Sequence, residues 1–348
     1  MKKIFFILAL LYSSVFATDL DTKIGQMILV GFNGDDVNSP QFQKVLDKSK
    51  NGEITGVILF KKNIKSKDDL IKMNEELIKN SPITPFISID NEGGYVQRYD
   101  FLKHKSAKDA AGLSTKEAKK EYSIMANLLK ELRINLNFAP CVDLEINKES
   151  IISTKKRSYG ENPNIVTKYS KIFIEEHNKK GIITSIKHFP GHGSVIGDTH
   201  LGFVDATKTF RSAELKPYFN LRNYNKLNMV MVSHIFNAHL DKKYPASLSK
   251  KTVKDFLIDE IGFNGVIISD DYDMGAIRKN YSLREIVVNS INSGINILMF
   301  SNNIEIDDDD ISTKIKKIIK EELSLGNIKI QDINNSYNKI IKLKSNLK

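Results

Sequence analysis

The sequence feature that most constrains the fold is a set of eight short runs of apolar and β-branched residues. The runs are Met27–Phe32, Gly56–Phe60, Phe86–Asp90, Ile134–Ala139, Ile182–His188, Met229–His234, Val266–Asp270 and Ile295–Phe300. Each run is almost continuously apolar, which is typical of parallel strands that helices cover on both faces. Between the runs lie stretches with helical spacing, as in 66–79, where apolar residues recur every three or four positions. The pattern therefore predicts eight alternating strand–helix units.

This alternation predicts an α/β fold, a single (β/α)8 TIM-type barrel. A doubly wound open sheet is the alternative, but eight successive units fit a closed barrel better. Ser66, Ser114 and Ser282 each precede an acidic residue by three positions, which predicts capped helix starts. No linker or change of composition divides the chain. Residues 18–348 are therefore predicted to form one domain that ends in a C-terminal helix.

The first residues predict export from the cell. Lys2 and Lys3 precede an apolar run from Ile4 to Tyr12, and small residues then lead to a cleavage position after Ala17. The run is too short to cross a hydrocarbon core of ~30 Å. Residues 1–17 are therefore predicted to be a signal peptide, with no stable membrane anchor after cleavage and a periplasmic or secreted location.

Charge and cysteine content limit the partners and the means of stabilisation. Cys141 is the one cysteine in the sequence, so no internal disulfide can form and the fold must depend on its core. The formal net charge of +10 suits an anionic polymer outside the cytoplasm, although the lysines are scattered along helical segments. No basic patch is interleaved with aromatic residues, so a nucleic-acid partner is not expected.

Polar side chains follow five successive predicted strands at the points where the strands end. They are Asp90 and Arg98 after the third, Asp143 after the fourth, Lys187, His188 and His192 at the fifth, His234 at the sixth, and Asp270 and Asp271 at the seventh. In a closed barrel these ends meet at one face, where active sites are built. Each residue alone could be a helix cap or a hydrogen-bonded core residue. Together they would perturb one another's pKa values at a cost in stability, which indicates an active site.

The residue types narrow the chemistry. The sequence has no Gly-rich phosphate-binding loop and no G-x-S-x-G motif, so nucleotide and serine-hydrolase chemistry have no support. A metal site is the main competitor on composition, with possible ligands at His188, His192, Asp198, His200, His234 and Asp270. The short histidine spacings of metal sites are missing, however, so neither a metal nor another cofactor is predicted.

Six ordered motifs lie between Asp90 and Met274, and the resemblance that they carry runs from about Ile24 to about Gly294. They are D-N-E-G-G-x-V-Q-R at Asp90–Arg98, N-F-A-P-x-V-D at Asn137–Asp143, R-S-Y-G at Arg157–Gly160, K-H-F-P-G-H-G at Lys187–Gly193 followed by D-T-H, P-A-S-L-S at Pro245–Ser249, and S-D-D-x-x-M at Ser269–Met274. Together they resemble glycoside hydrolase family 3, and in particular its single-domain bacterial β-N-acetylhexosaminidases.

The resemblance implies a role for each matching residue. Asp270 is implied as the nucleophile, and His200, paired with Asp198, as the acid/base of a retaining reaction. The residues implied to bind a terminal N-acetylglucosamine are Asp90, Arg98, Arg157, Lys187 and His188. His192 and His234 are expected to support these residues from behind, and Asp271 is expected to cap the following helix.

We therefore expect a retaining exo-β-N-acetylglucosaminidase that acts as a monomer on peptidoglycan-derived or other N-acetylglucosamine-containing saccharides. The alternatives are an N-acetylglucosaminide phosphorylase, another family 3 β-glycosidase, and a carbohydrate-binding protein without activity. Three positions depart from the family pattern: Tyr95 replaces a basic residue, Thr199 replaces a serine, and Asp205-Ala206 stands in place of Leu-Pro. These departures concern the outer subsites and the loop path.

Overall fold

The computed structural model describes residues 18–197, 202–303 and 310–347. The predicted signal peptide at 1–17 lies outside the described residues, as do Asp198 and His200. The strands are β1 Ile28–Gly31, β2 Gly56–Leu59, β3 Phe86–Ile89, β4 Leu136–Asn137, β5 Ile183–Phe189, β6 Met229–Val232, β7 Val266–Ser269 and β8 Leu298–Phe300.

The eight strands are parallel and follow one another around a barrel. Their order is β7-β6-β5-β4-β3-β2-β1-β8, so the first and last strands of the sequence are neighbours. Val30 of β1 lies opposite Val57 on one side and Phe300 on the other. A parallel bridge between Ile268 and Ile297 closes the ring between β7 and β8. The prediction of a single (β/α)8 barrel is confirmed.

Helices alternate with the strands and surround the barrel. The α-helices are α1 Leu20–Gly25, α2 Pro40–Lys50, α3 Lys67–Asn80, α4 Ala107–Ala111, α5 Thr115–Glu131, α6 Ile151–Thr154, α7 Pro163–Asn178, α8 Lys216–Leu221, α9 Gly275–Arg278, α10 Leu283–Ser293, α11 Ile311–Ser324 and α12 Ile330–Lys344. A π-helical segment, Lys251–Glu260, lies between β6 and β7. Short 3-10 turns occur at Lys61–Asn63, Ser212–Leu215 and Ala246–Leu248. None of the helices in the described ranges is long and apolar enough to cross a membrane.

The predicted helix starts are observed. The hydroxyls of Ser66, Ser114 and Ser282 accept hydrogen bonds from backbone N–H groups three residues later. At Ser114 and Ser282 the following glutamate also accepts from the serine N–H, which completes the capping box. The predicted C-terminal helix is α12, and its buried side chains, such as Ile333 and Ile340, pack into the main core.

The paired strands are shorter than the predicted apolar runs, most clearly at β4. Asn side chains replace part of its backbone ladder: Asn135 Oδ1 accepts from the N–H of Ile87 at 2.8 Å, and Asn137 Oδ1 accepts from that of Asn91 at 3.0 Å. Pro140, which follows, has no N–H to donate. The regular pairing of β4 therefore ends at Asn137, although the N–H of Phe138 still donates to Ile89 O and Cys141 forms a parallel bridge with Lys187.

Candidate active site

A cavity of about 460 Å³ opens where the carboxyl ends of the strands meet, within the usual range of ligand pockets of ~300–1,000 Å³. All five residues predicted to bind the sugar line it, and so does the predicted nucleophile. The predicted residues on its wall are Asp90, Arg98, Arg157, Lys187, His188, His192, Asp270 and Asp271. His234 is buried behind this wall. Asp198 and His200 lie outside the described residues, so their positions relative to the cavity stay predictions.

Asp90 is held between two cations. It follows β3, and its carboxylate lies 2.7 Å from Lys187 Nζ and 2.8 Å from Arg98 Nη2. Burial opposes the ionisation of Asp90, but Lys187 and Arg98 outweigh it and hold the pKa of this carboxyl well below its usual range. Asp90 is therefore an anion near neutral pH, and it can accept hydrogen bonds from a ligand but has no proton to give.

Glu92 is the carboxylate that joins Lys187 to Arg157. Its Oε1 lies 2.8 Å from Lys187 Nζ and 2.7 Å from Arg157 Nη2, and its Oε2 accepts from Arg157 Nε at 2.9 Å. The side chains of Glu92 and Lys187 are each only 2% exposed. Burial opposes ionisation, but Arg157 and then Lys187 lower the pKa of Glu92 to about 2. The bidentate bond to Arg157 fixes the plane of the guanidinium.

His188 is oriented from both sides of its ring. Its Nδ1 lies 2.6 Å from Asp143 Oδ2, and its Nε2 lies 3.1 Å from Arg157 Nη2. Nδ1 donates its proton to Asp143, and the contact of Nε2 with Arg157 fixes the other edge of the ring. Asp143 also accepts from the backbone N–H of His192 at 2.9 Å. Burial raises the pKa of Asp143, but His188 and His192 hold it well below its usual range.

Cys141 lies beside this pair. Its Sγ is 3.3 Å from Asp143 Oδ2, and burial raises the pKa of the thiol. Across the part of the chain that the structure describes, Cys141, Asp143 and His188 form the one group of three side chains close enough to share a metal ion. Arg157 already brings a positive charge to His188, which opposes a second cation there. The prediction of a site without a metal stays the better interpretation of these residues.

Asp270 directly follows β7, and both its backbone and its carboxylate form hydrogen bonds. Its N–H donates to Val232 O at 2.8 Å, and its Oδ1 accepts from the N–H of Asp271 at 2.8 Å. A rigid strand behind it and a defined carboxylate orientation are what an attacking nucleophile needs.

Asp271 does not cap the helix that follows, contrary to the prediction. Its carboxylate accepts from the N–H of Asp273 at 3.0 Å, the N–H of Ser301 at 3.0 Å and the hydroxyl of Ser301. It therefore joins the loop after β7 to the residue after β8, a contact that helix patterns do not anticipate. Burial, followed by the neighbouring charge of Asp273, raises the pKa of Asp271.

The two supporting histidines differ in position. His234 is fully enclosed, with Nε2 2.8 Å from Asp271 O and Nδ1 2.7 Å from Ser247 Oγ, so it supports the turn that carries the predicted nucleophile. His192 instead lines the cavity itself. Its Nδ1 is buried without a hydrogen-bond partner among the described residues. Burial, and then the charge of His188, lowers the pKa of His192 to about 4.

The loop after β5 is anchored by Glu214 at its base. One oxygen of this buried carboxylate accepts from the N–H groups of Gly193 at 2.8 Å and Ser194 at 3.2 Å. Gly191 has a φ of 141°, and a Cβ there would lie 2.6 Å from Glu214 Cβ. Glycine is therefore required where the loop crosses Glu214, a few residues before Asp198 and His200 in the sequence.

Sequence reasoning assigned no role to Glu92, Asp143 or Glu214, although it noted Asp143 among the polar residues at the strand ends. Charge balance could have revealed one of them, because the predicted sugar-binding set holds three cations but a single carboxylate. Buried charges are paired in folded proteins, so further carboxylates were required nearby. Glu92 and Asp143 both lie inside the motifs already recognised, at the ends of the third and fourth strands.

The chain matches a known family over most of its length. Residues 19–343 match the family model described as the glycosyl hydrolase family 3 N terminal domain. The beta-hexosaminidase of Xylella fastidiosa (strain M23) is 30% identical over 264 residues, which cover 72% of this chain and 76% of the relative. The beta-hexosaminidase of Actinobacillus pleuropneumoniae serotype 3 (strain JL03) is 33% identical over 264 residues, with 72% and 75% covered.

A solved structure gives the same result in three dimensions. The chain is similar to a glycoside hydrolase family 3 beta-N-acetylglucosaminidase from Paenibacillus sp. str. FPU-7, with a TM-score of 0.84 and 27% sequence identity. The superposition covers 95% of this chain and 63% of that protein, so the chain spans less than two thirds of its length.

The central role of Glu92 can be tested by removing its charge. Glu92→Gln leaves Arg157 and Lys187 buried with one carboxylate fewer, so we expect the free energy of unfolding to fall by about 3–5 kcal/mol. Glu75→Gln is the matched control, because Glu75 pairs with Arg133 at 2.9 Å on the surface and such pairs contribute about 0–1 kcal/mol. Urea unfolding of both variants measures the difference, and equal losses would contradict a central role for Glu92.

His192 predicts how stability changes with pH. A histidine in the unfolded chain takes up a proton near pH ~6.5, whereas the folded-state pKa of His192 is about 4. The unfolded state therefore binds more protons in this window, and the free energy of unfolding falls as the pH drops from about 6.5 to about 4.

The variant His192→Gln should flatten this slope by up to ~1.4 kcal/mol per pH unit. Urea unfolding at several pH values measures it, with the exposed His239→Gln as the control. If the free energy of unfolding changes with pH in the same way in both variants, His192 is not buried in its neutral form.

Proposed function

Because this chain belongs to glycosyl hydrolase family 3, we propose that it is a retaining exo-β-N-acetylglucosaminidase with Asp270 as nucleophile. The observation that carries the proposal is that Asp270 shares one cavity with an ion-paired cluster of sugar-binding type. Lys187, Arg157 and Asp90 present charged donors and acceptors on the wall of that cavity. The family assignment makes the protein a glycoside hydrolase, and the sugar, the stereochemistry and the polymer are the proposed parts.

The proposed reaction begins with attack of an Asp270 oxygen on the anomeric carbon of the terminal sugar. A covalent glycosyl-enzyme forms through an oxocarbenium-like transition state, and water then releases the sugar with retained configuration. The hydrogen bond from the N–H of Asp271 to Oδ1 orients the carboxylate for this attack. The backbone bond of Asp270 to Val232 holds this carboxylate against the strand.

The acid/base is proposed to be His200, supported by Asp198. Asp90 and Glu92 are ionised in their ion pairs, so neither has a proton for the leaving oxygen near neutral pH. The carboxylate of Asp271 is occupied by the N–H groups of Asp273 and Ser301. An imidazole with a pKa near ~6.5 can give a proton in the first step and take one from water in the second.

The sugar itself is proposed to bind against Asp90, Arg98, Arg157, Lys187 and His188. Hydrogen bonds in which one partner is charged are roughly twice as strong as neutral ones and favour a single sugar orientation. The ion pairs that already join these groups fix their positions before the substrate binds. Substrate binding therefore costs little side-chain entropy.

Peptidoglycan fragments are the proposed natural substrate, and the protein is proposed to act as a monomer in the periplasm or after secretion. The amino-terminal pattern of residues 1–17 and a net charge of +10 support an exported enzyme that meets an anionic polymer. No nucleic-acid partner is proposed.

The proposed chemistry is tested by hydrolysis of an aryl N-acetyl-β-glucosaminide beside the matching β-glucoside. The wild type should cleave only the acetamido sugar. Asp270→Ala should abolish turnover, and His200→Ala should slow deglycosylation by about 10²–10⁴-fold. Lys208→Ala, in an exposed position further along the same connection, is the control and should keep full activity.

The products of this experiment separate the alternatives. Formation of a sugar 1-phosphate in phosphate buffer would identify a phosphorylase, and cleavage of the β-glucoside would identify another family 3 glycosidase. If the wild type cleaves neither substrate, a carbohydrate-binding protein without activity becomes the better explanation.

Cell fractionation tests the proposed location. The full-length gene product should appear in the periplasm or the medium in a form that starts after Ala17, as read by mass spectrometry of its amino terminus. Recovery of the uncleaved chain from the cytoplasm alone would overturn both the signal peptide and the extracytoplasmic role.

A further inference from the structure

The two ends of the cavity differ in burial and charge. The inner end contains the ion pairs of Lys187 and Glu92, whose side chains are almost fully enclosed. Tyr95 also lines the cavity, but it is 68% exposed, and Lys155 beside it is half-buried. An enzyme that removes a terminal sugar holds that sugar at the enclosed end. Two residues of the cavity lining, Tyr95 and Asn303, are exposed, and the next residue of the chain leaves the cavity on an exposed side. The side of Tyr95 is the one where a lysine, Lys155, adds a positive charge.

Tyr95 is presented by a tight turn rather than by a loose loop. The N–H groups of Glu92 and Gly93 both donate to Val96 O, at 2.9 and 3.2 Å, which closes the turn beneath Tyr95. Gly94 has a φ of 61° and donates its N–H to His104 O at 2.9 Å. A Cβ on Gly94 would lie 2.6 Å from Ser106 Cβ, so the turn is packed against the following segment. The aromatic ring is thus held out at a fixed place.

Lys155 reaches the same place from another loop. It directly follows α6, and its Nζ lies 3.8 Å from the centroid of the Tyr95 ring, a cation–π contact. Its neighbours have anionic partners: Lys156 lies 3.8 Å from Asp109, and Arg157 lies 2.7 Å from Glu92. For Lys155, by contrast, no carboxylate lies within salt-bridge distance anywhere in the described ranges. A positive charge without an anionic partner therefore stands on the cavity wall.

We propose that Tyr95 and Lys155 form an outer subsite for the residue that carries the leaving oxygen, and that the preferred occupant is a sugar with a carboxylate. The proposal rests on the proposed exo-N-acetylglucosaminidase activity and adds the chemistry of the second ring. The exposed face of Tyr95 offers an apolar surface to a sugar ring, and Lys155 offers its charge to the carboxylate.

The charge on Lys155 gives the first arm of the test. The substrates are N-acetylglucosaminyl-β-1,4-N-acetylmuramic acid, its methyl ester, and N-acetyl-β-glucosaminyl fluoride, which has no second ring. Lys155→Gln should lower kcat/KM for the carboxylate disaccharide by about three- to five-fold, as expected for an exposed ion pair. The rates for the methyl ester and the fluoride should not change. Lys155→Arg should keep the preference for the carboxylate.

Two controls separate charge at this place from charge in general. Lys156→Gln removes the adjacent lysine, which does not line the cavity, and should leave all three rates unchanged. Raising the salt concentration to about 1 M should reduce the wild-type preference for the carboxylate over the ester, because the Debye length then falls to about 3 Å.

The ring of Tyr95 gives the second arm. Tyr95→Ala should lower kcat/KM for both disaccharides by about five-fold while the fluoride is still cleaved at the wild-type rate, and Tyr95→Phe should behave as wild type. Failure of the wild type to cleave the fluoride would overturn the proposed function itself. Cleavage of the fluoride with an unchanged acid-to-ester ratio in Lys155→Gln would overturn the outer subsite alone.

Discussion

The buried carboxylate of Glu92 is the interaction on which the candidate active site depends. It neutralises Arg157 through a bidentate bond that uses both of its oxygens. It neutralises Lys187 through Oε1, which Arg157 also contacts. Lys187 in turn holds Asp90, and Arg157 in turn holds His188. Side chains from the third, fourth and fifth strand–loop units are thereby fixed in one network. Because an isolated buried charge costs several kcal/mol, Arg157 could not be enclosed at the cavity without this anion, and Lys187 would keep Asp90 as its one anionic partner among the contacts described.

The barrel makes such a network possible by bringing distant segments to one face. Its short strands end in loops that approach each other closely, and the connections between them are specific. Asp271 joins the loop after β7 to Ser301 after β8, while Glu214 fixes the loop after β5 through two backbone N–H groups. Asp271 and Glu214 therefore hold loops that form the cavity. The fold supplies the geometry, and the polar residues at the strand ends supply the chemistry.

In the proposed mechanism, different residues of the site bind the substrate and transfer protons. Asp90 and Glu92 stay anionic because cations outweigh the effect of burial, which suits them to orientation and recognition. Proton transfer is left to an imidazole in the proposed mechanism, so the pKa values of the binding groups and of the acid/base need not conflict. The proposed outer subsite at Tyr95 and Lys155 adds a third task, selection of the second sugar, at the exposed side of the cavity.

The sequence by itself determined the eight strands, the barrel, the capped helices and the residue types at the strand ends, because these follow from local periodicity and propensity. It also placed Asp90, Lys187, His188 and Asp270 at one face, since parallel strands end together. Only the tertiary structure decided which charges pair. Glu92 meets Arg157 65 residues along the chain, and Asp143 meets His188 45 residues along. The prediction that Asp271 caps the following helix was wrong, because its carboxylate also bonds to Ser301 after β8. Ion pairs join residues that are far apart in the sequence, so the periodic patterns that predict helices and strands do not predict them.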